Sequence, residues 1–342
     1  MVTSMQRSIG LTISAAKRMA SAASRVAGHC DTKEPTMSFA YGQIAQRLFG
    51  TPLMYDERKA EAFLYGLGSR IAGDTVVITN PGGADDHVAG ANGRPLAGKI
   101  GNRIERAFTQ VNRLPFDVVD NVAIIPIEGS LVHKGGWIGS ASGETSYQGL
   151  QAQIAMARRA SSVRGVVFEV DSYGGEVNGG FETAAAIAQL SKEKPTLSIL
   201  TDFGYSAGYL LPSQTRGIVM PEFGGAGSIG VIMIHADYSG WLEKQGVALT
   251  IIRAGKKKAD GNPYEQLNPD LAARWQKQAE VMREAFAETV AKGRRGRITK
   301  AKALATEAEA FDAKEALARG LVDAIGDPLE AFDAFVKEVN RG

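Results

Sequence analysis

Cysteine is nearly absent: Cys30 is the only one among 342 residues. That excludes an intrachain disulfide framework and points to a reducing compartment. Histidine is almost as scarce, and His29, His87, His133 and His235 are too scattered for the spacing of a metal site, so neither a metal nor a cofactor is expected. An excess of one charge is missing as well. Thirty-nine Lys and Arg against 37 Asp and Glu leave a net charge of +2, without the field that would draw the chain to nucleic acid or an anionic membrane. Long apolar runs are also lacking. In the first thirty-odd residues the apolar stretches are broken by Ser14, Lys17 and Arg18, too short and too polar for a membrane span or a signal-peptide core. This leader, residues 1–36, reads as disordered or loosely helical; its basic, acid-poor composition also fits a mitochondria-like address, and Met37 offers an alternative start.

What is present falls into zones. Residues 37–72 carry Ile44, Leu48, Phe49, Ala60, Phe63, Leu64 and Leu67 at helix-like spacing around Thr51-Pro52, which predicts a helical N-terminal segment. Residues 73–117 are rich in Gly, Asn, Asp and Pro and read as a flexible linker. From 118 to 330, strand-like runs alternate with helix-like ones. Strands are predicted at Val122–Ile127, Gly165–Val170, Thr196–Leu200, Ile218–Val219, Val231–Ile234 and Ala248–Ile252, with helices at Tyr147–Ala160, Gly180–Leu190 and through Trp241-Leu242. Such alternation argues for an α/β fold, a mostly parallel sheet covered by helices. A long amphipathic helix follows over Pro269–Lys292, then shorter helices over Lys300–Ala310 and Ala313–Arg319, with Gly320 as a stop and 331–342 as a C-terminal tail. The basic run Lys292–Arg297 reads as a solvated helix end.

In open α/β sheets, chemistry sits beyond the carboxyl ends of strands, and three glycine-bearing motifs fall there: Asp171–Gly175, Gly204–Gly208 and Gly227–Gly230. Gly204-Tyr205-Ser206-Ala207-Gly208 fits the G-x-S-x-G elbow that exposes a nucleophilic serine between strand and helix. A serine needs a base to take its proton. The only histidine after Ser206 is His235, at the end of an apolar run, preceded by Glu222 as the only acid and with no further strand to present a separate acid, so it reads as a structural histidine. Serine–lysine pairs are the other option, provided the lysine is held neutral well below its usual pKa of about 10.4 by burial. Lys256, Lys257 and Lys258 stand together in a glycine-bounded turn, and residue chemistry narrows the base to this cluster without choosing within it. The oxyanion formed on attack needs N–H donors, each contributing roughly 2.7–4 kcal/mol to the transition state. Gly174-Gly175 allows a close backbone approach, and the amide of Ala207 is the natural second donor. Ser228 is placed in sequence to hydrogen-bond and aim a lysine amine.

In combination these motifs resemble the signal peptide peptidase A family of serine peptidases, within the Clp protease/crotonase superfamily. The family pattern of a D/N-S-P-G-G turn, an S-[AG]-G-Y turn, a T-G-S-[IL]-G-V strand and an S-G-x-x-K loop is similar to Asp171–Gly175, Ser206–Tyr209, Ala226–Val231 and Ala254–Lys258. Lys258–Tyr264, Leu242–Val247 and Arg47–Leu53 resemble the branch of phage head-maturation, or capsid assembly, proteases. The resemblance spans about residues 40–330 and implies Ser206 as nucleophile, Lys258 as general base, and Gly174 or Gly175 with Ala207 as oxyanion hole. Two positions depart from the pattern, Tyr173 for the usual proline and Ala254 for the usual serine, and neither removes a catalytic group. The implied activity is endopeptidase cleavage of capsid, scaffold or portal proteins in the host cytoplasm or prohead, by a homo-oligomer without a membrane span. Some phage members continue into a scaffold-like extension; with the chain ending at Gly342, the scaffold is expected to be encoded separately or removed. The alternatives are a bacterial peptidase that degrades signal peptides, a crotonase-like enzyme acting on acyl-thioesters, and a catalytically silent assembly protein.

Overall fold

The computed structural model describes residues 50–56, 114–135, 140–141 and 143–341. The leader and almost all of the expected N-terminal helices and linker lie outside the described residues. Within the segment read as helical, the part that is described departs from expectation: Leu53–Tyr55 form a strand, β1. Thr51-Pro52 precedes it, and a proline holds the residue before it in extended backbone.

The sheet proper is built from β2 (Asp117–Val119), β3 (Val122–Val132), β4 (Ser140–Ala141) and β5 (Glu144–Ser146), then helix α1 (Tyr147–Arg159). It continues through β6 (Gly165–Glu176), α2 (Gly180–Glu193), β7 (Thr196–Tyr205), the four-residue helix α3 (Ala207–Leu210), β8 (Gly217–Met220) and β9 (Gly225–Gly227). After α4 (Ser239–Lys244) come the long helix α5 (Pro269–Gly293), α6 (Lys300–Leu304), β10 (Ala310–Asp312), α7 (Ala313–Ala318), β11 (Ala324–Ile325) and α8 (Pro328–Arg341). The central order is β10-β9-β7-β6-β3-β5-β4. Strands β3, β5, β6, β7, β8 and β9 pair in parallel, while β1, β2, β4 and β10 add antiparallel at the margins. This is the mostly parallel, helix-covered α/β sheet that the alternation predicts.

Central strands of such a sheet are apolar on both faces. Ile125, Ile127, Val166, Phe168 and Val170 belong to a large core closed by α1, α2, α3 and α5, whereas Val122, Val167 and Ile199 form a second core with Phe335 and Val339 of α8. A Cβ at Gly165 would stand 2.7 Å from a Val339 methyl, so α8 lies close against the sheet. The C-terminal segment 331–341 is therefore part of the domain rather than an appended tail.

Caps fix the helices that flank the site. The Ser146 hydroxyl accepts the Gly149 N–H at 3.0 Å at the start of α1. The Lys194 ammonium donates to the carbonyls of Ala157, Ala160 and Val163 at 2.6, 2.9 and 2.7 Å, closing the other end of that helix.

Four further expectations are corrected. Val231–Ile234 and Ala248–Ile252 are not regular strands; the first makes isolated bridges, among them Ile232 to Leu53, and the second has no regular structure and is mostly exposed. Their apolar pattern suits a strand, but among the described residues no sheet edge accepts 248–252. The helix expected over Lys300–Ala310 stops at Leu304 and gives way to β10. Finally, Arg294 in the basic run is not solvated. Its side chain is wholly buried and forms a two-pronged pair with Asp323, both bonds 2.9 Å, with a further bond from Nε to the Gly320 carbonyl.

Candidate active site

Ser206 stands at the junction of β7 and α3 with φ +54° and ψ −123°, outside the regions where side-chain-bearing residues usually rest. Its N–H donates to the Gly227 carbonyl at 2.9 Å, and its carbonyl accepts the N–H groups of Tyr209 and Leu210. The strand is thus pinned to β9 on one side and turned sharply into the helix on the other. Gly208 is required by proximity, since a Cβ there would stand 2.4 Å from the Ser172 carbonyl oxygen on β6. Ser206 is 1% exposed, and its Oγ has no hydrogen-bond partner among the described residues. A buried hydroxyl left unsatisfied is costly, and such groups concentrate where a protein keeps a reactive atom.

The glycine turn meets this elbow directly. Gly174 has φ +101°, and a Cβ on it would stand 3.0 Å from the Ala207 nitrogen, 3.0 Å from Ser206 Cβ and 2.1 Å from the Met54 carbonyl oxygen. Three neighbouring groups, the serine among them, therefore converge on its α-carbon. Gly175 is as constrained, with the Leu131 carbonyl oxygen 1.9 Å from where its Cβ would be. The N–H of Gly174 donates to Ser172 Oγ at 3.2 Å, while the Ser172 hydroxyl donates to the Gly129 carbonyl at 2.6 Å. Ser172 is fully buried and shapes the turn, a role that the sequence pattern alone does not reveal although the residue lies inside the glycine motif. Tyr173, at the position where proline is usual, joins Phe203 and Tyr205 in an aromatic cluster with ring centroids 5.2–5.6 Å apart.

Ser228 also has a positive φ, +55°, and is nearly buried; its N–H donates to the Glu309 carbonyl at 2.8 Å. It lines a cavity of about 840 Å³ together with Tyr55, Asp56, Trp275 and Arg283. Neither Ser206 nor any of the three lysines lines that cavity. Lys256, Lys257 and Lys258 lie in an exposed turn, held by a bond from the Lys258 N–H to the Gly255 carbonyl. In the single chain, then, Ser206, Gly174, Gly175 and Ala207 come together, Ser228 lies beside them at the end of β9, and the Lys258 amine is not bonded to the serine. His235 is engaged elsewhere, its Nε2 3.0 Å from the Asn262 carbonyl and its ring against Trp275, as expected for a structural histidine.

The nucleophile helix is anchored from behind. The Tyr209 hydroxyl, fully buried, donates to the Leu321 carbonyl at 2.8 Å, and burial pushes its pKa far above the ordinary tyrosine value. Leu321 lies between Gly320 and Asp323, the two partners of Arg294. Among the described residues no cluster of three or more His, Cys, Asp or Glu is placed to hold a metal ion, and no helix is long and apolar enough to cross a membrane.

Residues 188–341 match the model of peptidase family S49. The chain is 30% identical over 307 residues to the head-tail preconnector protein GP5 of Enterobacteria phage P21, covering 87% of this chain and 57% of that protein. It is 30% identical over 292 residues to capsid assembly protease C of Escherichia phage lambda, covering 84% of this chain and 64% of that protein. The chain thus spans less than two thirds of the length of these relatives. Among solved structures, a mutant of the 1510-N membrane-bound stomatin-specific protease in complex with a substrate peptide aligns over 62% of this chain and 78% of that one, with a TM-score of 0.39 at 17% identity. That likeness is too weak to define the fold, which the sheet itself establishes.

Proposed function

We propose that this chain, whose residues 188–341 match the model of peptidase family S49, is a serine endopeptidase that cleaves phage or prophage capsid or scaffold proteins through an acyl-enzyme on Ser206. The observation that carries this reading is the strained, buried Ser206 turn packed against Gly174 and the first amide of α3. Strain of this kind persists where the surroundings enforce it, and it holds the hydroxyl at the strand end rather than along the helix. In the proposed step, Ser206 Oγ attacks the scissile carbonyl while its proton passes to the neutral amine of Lys258. The carbonyl oxygen takes up the negative charge and is met by the Ala207 N–H. The Gly174 N–H is the second donor, since its 3.2 Å bond to Ser172 is long enough to yield to a charged acceptor. The amine then returns the proton to the leaving nitrogen, and water releases the acyl group by the reverse path.

Lys258 is exposed in the single chain, and the reading requires its amine to be dehydrated. The lysine turn lies within a segment that exposes Val247, Leu249, Tyr264 and, at 95%, Ile252. Apolar exposure on this scale suits a surface covered by another copy of the chain, which would shield the lysine as well. We therefore propose a homo-oligomer in which the 247–264 segment is an interface.

The test is cleavage of a capsid or scaffold substrate by single variants. Ser206→Ala and Lys258→Ala should each lower turnover by at least a thousandfold, whereas Lys256→Ala and Lys257→Ala should retain it. Undiminished turnover in Ser206→Ala would remove the nucleophile assignment, and loss in Lys257→Ala with retention in Lys258→Ala would move the base.

A further inference from the structure

A serine that attacks peptide bonds cannot remain 1% exposed. Beside it lies the segment Gly50–Asp56, whose Met54 carbonyl converges with Ser206 Cβ on Gly174. This segment runs between the end of β6 and residues 232–234, and it is antiparallel to both. On one side Leu53, Met54 and Tyr55 pair with Glu176, Gly175 and Gly174, and the Asp56 N–H donates to the Tyr173 carbonyl at 2.9 Å. On the other side Leu53 and Ile232 exchange both backbone bonds, at 2.9 and 2.8 Å, and the Gly50 N–H donates to the Ile234 carbonyl at 3.0 Å. A three-residue strand held on both edges beside a nucleophile has the form of an added peptide strand, in which main-chain bonds give affinity and alternate side-chain pockets give selectivity.

The polarity of the segment and its side chains agree with this. Read from its N-terminus, it advances toward the glycine turn, and the Met54 carbonyl converges with Ser206 and the Ala207 N–H on Gly174. The Met54 side chain is wholly buried in the main core, with its Cε against Gly180 beside the Tyr147 ring. Residue 232 has no other strand partner among the described residues. The Met54 carbonyl does not bond the Ser206 Oγ, which has no hydrogen-bond partner among the described residues.

We propose that Gly50–Asp56 is an autoinhibitory strand, occupying the groove that takes an extended substrate peptide, and that substrate enters by displacing it. The proposal rests on the peptidase reading of Ser206. It also assigns a ligand class: an extended peptide bearing an unbranched or γ-branched apolar side chain at the place Met54 fills.

The test locks the strand. In a Cys30→Ser background, Leu53→Cys with Ile232→Cys places two cysteines at a hydrogen-bonded antiparallel pair, whose α-carbons, about 5.5 Å apart, are within disulfide reach. Cleavage is measured with the protein oxidised and then reduced. In a parallel Ser206→Ala set, which needs no chemistry, binding of a fluorescent peptide of the sequence of residues 50–56 is measured by anisotropy. Leu53→Pro joins the set because it removes one strand bond, roughly 1.4 kcal/mol or tenfold in affinity. The expected result is that oxidation lowers both cleavage and peptide binding at least tenfold, that reduction restores them, and that Leu53→Pro binds about tenfold more tightly than the unlocked strand. Equal binding in all three forms, or no binding in any, would overturn the proposal. Absent cleavage with redox-dependent binding would support the groove while refuting the peptidase reading, so the two failures are distinguishable.

Discussion

Ser206 holds a conformation that costs of the order of 1–3 kcal/mol for a residue with a side chain. Glycine would adopt φ +54° without that penalty, offset in part by its greater freedom in the unfolded chain. Ser206→Gly is therefore expected to abolish cleavage while raising Tm by a few degrees in thermal unfolding, roughly 1 kcal/mol for a domain of this size. A lower Tm would mean that the turn is not strained. The serine elbow, the glycine turn and Ser228 were all legible in the sequence because each is a short motif at a strand end, where runs of small residues mark a sharp turn or a close backbone approach. The choice of one lysine from three was not, and the single chain does not make it either, since Lys256, Lys257 and Lys258 are all exposed in one turn.

Among the elements, α3 is too short to hold its own position, and its stability comes from behind. Tyr209 ties it to the Leu321 carbonyl, and that loop is fixed by the buried Arg294–Asp323 pair, with Asp323 also accepting the Ile218 N–H at 2.8 Å. Removing one partner of a buried pair leaves an uncompensated charge, at a cost of about 3–5 kcal/mol. Asp323→Ala should accordingly lower Tm by on the order of 10 °C, and the double change Arg294→Met, Asp323→Leu should recover most of that loss. An unchanged Tm in the single variant would show that the latch is idle. The sequence pattern places Arg294 in a solvated helix end, because nothing local announces a carboxylate twenty-nine positions away. Strand β1 was not legible for a similar reason. Leu53–Tyr55 is three residues long, and its pairing is entirely non-local, with β6 and Ile232. The longer alternating elements β3, β6, β7, α1, α2 and α5 were legible, because their periodicity extends over many residues.

At the scale of the molecule, the two apolar runs that fail to become strands in a single chain are informative. Ala248–Ile252 keeps a strand-like pattern yet lies exposed beside the lysine turn, the arrangement expected of a segment completed by another copy. Ile252→Asp should shift the protein toward monomer in light scattering and reduce cleavage in parallel, without lowering monomer Tm by more than about 0.5 kcal/mol equivalent, since the side chain is 95% exposed. Full activity in a monomeric Ile252→Asp protein would separate the lysine from the interface.

The central claim is that Ser206 is a nucleophile activated by Lys258. Reaction with a small fluorophosphonate, followed by intact mass and peptide mapping, addresses it most directly. The expected result is one adduct per chain on Ser206, none in Ser206→Ala, and labelling slowed at least a hundredfold in Lys258→Ala. An adduct on another residue, or equal labelling rates with and without the Lys258 amine, would contradict it.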